Sequence, residues 1–160
     1  MKRFVLILTL SLSLVTGCGF HLRGKIDLPD SLSTLYVKAP QVELRDELGD
    51  ALQTSGATVV KSATADSATI NIETARYRRE VRTVDERGKS TGYILFLDVD
   101  YSVVDNQGNT VVKKTRTSAR RDYTFDDTQA LVAQRQEEIL RQELREDVSQ
   151  AILRRLARVK

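Results

Sequence analysis

The sequence predicts an α+β domain: two helices packed on one face of a mixed, mostly antiparallel sheet of four to five strands, in the order β-α-β-β-β-β-α. Three observations carry this. Residues 68–125 hold three consecutive long β candidates separated by turn residues. Residues 126–160 hold one helical stripe with no proline or glycine to interrupt it. Ahead of both, residues 35–63 read as a short strand, a helix and a second short strand.

The lead-in "KIDLPDSLSTLYVKAP" (25–40) is extended. Its Pro29 and Pro40 are the only prolines of the chain, and they bracket a strand candidate at 35–37. In "QVELRDELGDALQTSG" (41–56), Leu44, Leu48, Ala51 and Leu52 recur at helical spacing, and Gly56 supplies the stop. "ATVVKSA" (57–63) is the second short strand, followed by a loop.

The long strands follow. In "ATINIETARYRREVRTV" (68–84) the apolar parity shifts from Ile70 and Ile72 to Ala75, Tyr77 and Val81, which predicts a β-bulge. In "GYILFLDVDYSVV" (92–104) Tyr93, Leu95, Leu97, Val99, Tyr101 and Val103 share one face, and Asp98, Asp100 and Ser102 take the other. "DNQG" (105–108) is a turn, so "NTVVKKTRTSARRDYTF" (109–125) should return as a hairpin. In the last segment Asp126, Asp127 and Thr128 offer an N-cap. Leu140, Leu144, Val148, Ile152 and Leu156 then recur every four residues along a helix on the order of 45 Å long. Both helices should cover one sheet face and leave the other polar and partly basic.

The first residues are of a different kind. Lys2 and Arg3 precede an apolar run over 4–15, too short for a bilayer, which needs about 20 residues. This is the pattern of a secretory signal peptide. Its removal takes two cations from a formal net charge of +3, so no global attraction to polyanions is expected.

The single cysteine, Cys18, cannot form an internal disulfide. Intermolecular pairing and a reactive thiol are possible roles for it, but "VTGC" (15–18), directly behind the apolar run, resembles the lipobox of bacterial lipoproteins. That resemblance implies a diacylglycerol on the Cys18 thiol, cleavage before it and acylation of the new amine. Gly19, where an aspartate would signal inner-membrane retention, implies sorting to the outer membrane. The expected organisation is a signal peptide over 1–17, a lipidated tether over 18–34 and a single domain over 35–160.

Little in the chain suits catalysis. The only histidine, His21, lies in the tether, and an acylated Cys18 could not join it in a metal site. Asp98 and Asp100 are expected on a solvated face. No metal-ligand spacing, phosphate loop or dinucleotide fingerprint is present, so neither enzyme nor cofactor is expected. The basic residues are more informative. Residues 76–89 carry Arg76, Arg78, Arg79, Arg82, Arg87 and Lys89 against three acids, and residues 113–121 carry Lys113, Lys114, Arg116, Arg120 and Arg121 with none. One reading is a solvated face with charge-protected edges. The other is an anionic ligand. In an exported lipoprotein that ligand is a phosphorylated lipid rather than nucleic acid.

"CGFHLRG" directly after the lipobox, then "LP", a short "LYV" strand, a helix, a three-strand meander and a long C-terminal helix together resemble the LptE family of lipopolysaccharide-assembly lipoproteins. The resemblance runs over nearly the whole chain. It implies two helices on a mixed, mostly four-stranded sheet. It implies a non-enzymatic plug, on the periplasmic side of the outer membrane, inside the lumen of the β-barrel LptD. It also implies help in assembling that barrel and binding of lipopolysaccharide through basic residues at the 84–93 loop and near the start of the last helix. Here those are Arg87, Lys89 and Arg135, and the sheet adds Arg116 and Arg120. Two other readings stand beside it: an auxiliary lipoprotein of a phospholipid-transport system, and a structural anchor without a ligand.

Overall fold

The computed structural model describes residues 26–124 and 130–159. The signal peptide, Cys18, His21 and the expected cap at Asp126, Asp127 and Thr128 lie outside the described residues. A 3-10 turn at Asp30–Leu32 leads into β1 (Thr34–Lys38), α1 (Val42–Thr54) and β2 (Thr58–Val60). Then come β3 (Ala68–Val84), β4 (Ser90–Val104), β5 (Thr110–Thr124) and α2 (Ala130–Leu156). The element order is the expected one.

The strands form one sheet in the order β2-β1-β3-β4-β5. β1 runs parallel to both β2 and β3, and β3, β4 and β5 form an antiparallel meander. β1 pairs only with Leu35↔Ala68 through Lys38↔Asn71, so β3 and β4 run far beyond it. Where β1 stops, the Gln41 side chain donates to the Ala75 carbonyl at 2.9 Å and satisfies an edge acceptor that would otherwise be unpaired.

The parity shift in β3 is a bulge between Ile72 and Thr74. It keeps Ile70 and Ile72 inward on one side and Ala75 and Tyr77 inward on the other. β5 carries a second irregularity that the alternation did not announce. Thr115 pairs with Tyr101 but Val112 pairs with Val103, and the extra residue turns Val112 into the core. Both hairpin turns have one construction. Gly88 and Gly108 take positive φ (78° and 85°), which favours glycine. The carboxylates of Asp85 and Asp105 accept backbone N–H groups across their turns, Asp85 from Arg87 and Lys89 and Asp105 from Gln107 and Asn109.

The core lies between the sheet and the two helices. Leu44, Leu48 and Leu52 of α1 and Leu144, Val148, Ile152 and Leu156 of α2 bury against Ile70, Leu97, Val99, Tyr101 and Val103. Each such side chain contributes roughly 1.5–3 kcal/mol by leaving water. α1 lies over β1 and β2, α2 lies over β4 and β5, and the helices pack on each other. Packing also reaches upstream of residue 35, where the sequence reading began the domain. Leu32 is fully buried, and Ile26 and Leu28 pack partly against the core, because the turn at Asp30–Leu32 folds an apolar side chain under β1.

Candidate functional site

The sheet face away from the helices is set by alternation. β3 contributes Thr74, Arg76, Arg78 and Glu80. β4 contributes Ile94, Phe96, Asp98 and Asp100, and β5 contributes Arg116, Ser118, Arg120 and Asp122. Asp98 and Asp100 do not stand free in solvent as expected, because β4 is central and longer side chains from both flanking strands close over them. Asp98 accepts from Arg78 Nε at 2.7 Å and Ser118 Oγ at 2.6 Å. Asp100 accepts from Arg116 Nε at 2.7 Å, Arg116 Nη2 at 2.9 Å and Thr74 Oγ1 at 2.9 Å.

The bidentate Arg116 and the Thr74 hydroxyl hold the Asp100 carboxyl down at about 2. Asp98 is held below the usual carboxylate range by Arg78 and then by Ser118. Both depressed groups favour the folded state at pH values above the unfolded carboxylate pKa of about 3.9, and that contribution disappears as pH falls through the folded pKa. Thermal melts should therefore show stability falling between about pH 4 and pH 2. Asp100→Asn should flatten that fall, and an unchanged pH profile in the variant would show that the pair does not contribute.

These contacts also use up most of the basic set. Arg78 additionally pairs with Glu80 and lies 4.5 Å over the Phe96 ring. Arg82 pairs with Asp122 at 2.7 Å, Lys114 with Glu73, and Arg121 with Glu143 (2.9 Å) and Asp147. The cation run at 113–121, which has no acid within it, is thus largely neutralised by acids from β3, β4 and α2. Of the expected ligand residues, Arg116 is committed to Asp100. Arg120, directly opposite Phe96, makes no side-chain ion pair among the described residues.

The hairpin end of the meander is different. Arg87 and Lys89 are exposed on the turn that Asp85 braces, and the Arg87 side chain has no ion pair among the described residues. The start of α2 is brought to the same end. Glu137 accepts from the Tyr123 hydroxyl at 3.3 Å and from Arg141 Nη2 at 2.7 Å, and pairs with Arg79 at 3.6 Å. Arg79 also lies 4.8 Å over Tyr93, which stacks on Tyr123 with ring centroids 5.6 Å apart. Gln136 lines a cleft with Arg82, Thr83, Gly92 and Asp122. Arg135, one residue earlier, is exposed and unpaired among the described residues. Arg87, Lys89 and Arg135 therefore share one end of the molecule. Arg120 lies further along the outer face, and Arg116 is set apart by its pairing.

Among the described residues no group of three or more His, Cys, Asp or Glu side chains could hold a metal ion, and no helix is long and apolar enough to cross a membrane.

Comparison with known proteins gives this architecture its context. The LptE family model, described as lipopolysaccharide-assembly, matches residues 32–156. The LPS-assembly lipoprotein LptE of Pectobacterium atrosepticum is 29% identical over 160 residues, spanning 97% of this chain and 85% of that protein. Its namesake from Photorhabdus laumondii is 27% identical over 156 residues, spanning 96% and 85%. The solution NMR structure of lipoprotein B from Nitrosomonas europaea aligns with a TM-score of 0.70 at 26% identity, covering 87% of this chain and 90% of that one. The rare lipoprotein B of Shewanella oneidensis shares the fold, with a TM-score of 0.66 at 22% identity over 78% and 93% of the two chains. The two-helix, five-strand domain is thus the fold of a known lipoprotein group, and the chain belongs to the LptE family of lipopolysaccharide-assembly proteins.

Proposed function

We propose that this protein is a non-enzymatic outer-membrane lipoprotein, anchored through acyl groups on Cys18, that plugs the lumen of the LptD β-barrel from the periplasmic side. In this reading it helps that barrel to assemble and takes part in moving lipopolysaccharide to the cell surface. The observation that carries the reading is family membership across residues 32–156. The outer sheet face supports it. Its cations Arg76, Arg78, Arg116 and Arg120 are matched in number by Glu80, Asp98, Asp100 and Asp122, so it is polar yet nearly neutral, which suits the polar interior of a wide barrel.

Lipopolysaccharide is assigned to the hairpin end, where Arg87, Lys89 and Arg135 hold exposed positions. Guanidinium and ammonium groups suit the phosphates of such a lipid. Arg87→Glu with Lys89→Glu should weaken lipopolysaccharide binding at least tenfold, taking about 1 kcal/mol per cation near an anionic lipid surface. Unchanged retention in a pull-down would remove this pair from the site. The plug itself is tested by gentle solubilisation of the outer membrane. The protein should copurify with a large barrel. Recovery as a lone monomer would overturn the plug, and recovery with a transporter would favour the phospholipid-transport reading.

A further inference from the structure

We propose that the opposite end of the domain, where α2 terminates, is a docking face for the anionic phospholipid headgroups of the leaflet that holds the anchor. An open cleft of about 790 Å³ lies between the start of β5 and the last turn of α2. Thr110, Val111, Val112 and Lys113 line it from the strand, and Arg155, Arg158 and Val159 from the helix end. It contains three exposed cations and no carboxylate. None of Lys113, Arg155 and Arg158 forms a side-chain ion pair among the described residues.

Along the sheet, by contrast, Arg78, Arg82, Lys114, Arg116 and Arg121 each meet an acid. The carboxylate of the adjoining turn, Asp105, is held by the backbone N–H groups of Gln107 and Asn109. Cations at a helix C-terminus complement its dipole, which accounts for Arg155 and Arg158. It does not account for Lys113, which comes from a strand and closes the other side of the cleft. Valine side chains beside the three charges suit an amphiphile, with phosphate at the cations and glycerol or upper acyl carbons against the apolar wall.

The path of the chain says which amphiphile. Ile26, the first described residue, lines a groove between α1 and α2 with Thr54, Leu153 and the carboxylates of Glu47, Asp50, Glu146 and Asp147, and β1, which follows it, starts beside the start of β3, at the same end as the start of β5. The N-terminal segment therefore enters the domain at the end that bears the cationic cleft. Cys18 is eight residues upstream, and a chain of that length spans no more than about 28 Å. This step rests on the proposed acylation of Cys18. With it, the α2 end is held near the membrane surface, while the hairpin end lies about 56 Å further along β3 at 3.3 Å per residue. Each Lys or Arg near an anionic leaflet contributes about 1 kcal/mol, so three make a useful contact where one would not.

The test uses the full mature chain carrying Cys18→Ser, which removes the acyl anchor, in sedimentation with phosphatidylethanolamine vesicles with or without phosphatidylglycerol at low salt. The protein should bind the phosphatidylglycerol vesicles preferentially. Adding Lys113→Gln, Arg155→Gln and Arg158→Gln should lower the partition coefficient about 100-fold. Arg158→Gln alone, at an exposed position beyond the helix, should lower it about fivefold if the triple variant misfolds. Arg76→Gln, on the outer face of β3 and outside both sites, should leave it unchanged. Equal binding by the cleft variants, equal binding to both vesicle types, or binding only when lipopolysaccharide is present would each overturn the proposal. Mass spectrometry of the Cys18 peptide from membrane-extracted wild-type protein tests the anchor separately. An unmodified thiol there would remove the anchor and leave the vesicle result to be judged by itself.

Discussion

Leu97→Ala is expected to lower the stability of the domain by about 3 kcal/mol, read from the urea midpoint of an otherwise unchanged cooperative transition. Leu97 is fully buried on the central strand β4, paired with Tyr77 of β3 and Ala119 of β5. The loss has two parts: the transfer energy of the removed carbons, and a cavity. That cavity cannot readily collapse, because hydrogen-bonded strands hold both sides of it and the helical layer covers it. Ile139→Ala on α2 makes the control. Its side chain is 59% exposed, and its truncation should change stability by no more than about 0.5 kcal/mol. A Leu97→Ala loss below about 1 kcal/mol would mean that the core is not packed as described.

Cys18→Ala should move out of the membrane fraction all of the protein that the barrel partner does not itself hold. One acyl chain gives only marginal, reversible attachment. Two or more hold a protein stably, because each buried CH₂ contributes about 0.8 kcal/mol. Among the described residues no helix is long and apolar enough to cross a membrane, so none of them offers a second anchor. Fractionation of cells carrying the variant reads the outcome. If the variant stays in the outer membrane at wild-type levels, a protein partner holds it there and the acyl chains are not the main tether. The two substitutions separate cleanly: the first weakens folding at an unchanged location, and the second changes location in a stably folded domain.

Much of the fold was legible in the chain because periodicity follows from burial. The six alternating apolar residues of β4 face the helices, and the four-residue recurrence from Leu140 to Leu156 is the buried stripe of α2. The β3 bulge was legible as a change of parity. The β5 bulge was not, because Val111 and Val112 are both apolar and neither parity stands out until Val103 selects its partner. The burial of Leu32, ahead of the expected start at residue 35, was not legible either. Leu32 lies in a run without periodicity, and only the turn beneath β1 shows that it is buried. The family resemblance seen in "CGFHLRG" and the order of elements agrees with the family match over residues 32–156.

The basic strands were legible in the chain and the pairing of their charges was not. The family resemblance singled out Arg87, Lys89 and Arg135, and counting cations found the basic strands with Arg116 and Arg120. It could not tell paired from unpaired charges, because the acids that neutralise Arg116, Lys114 and Arg121 come from β4, β3 and α2. It also passed over Arg155 and Arg158, which by sequence are ordinary residues at the end of a helix and acquire meaning only beside Lys113. By itself the sequence determined the local terms: which residues alternate, which recur every turn, and where a glycine or a proline ends an element. The tertiary structure alone decided which charges meet an opposite charge and which end of the domain faces the tether. Those depend on strand register and helix placement, and these bring together residues far apart in the chain whose local patterns carry no record of one another.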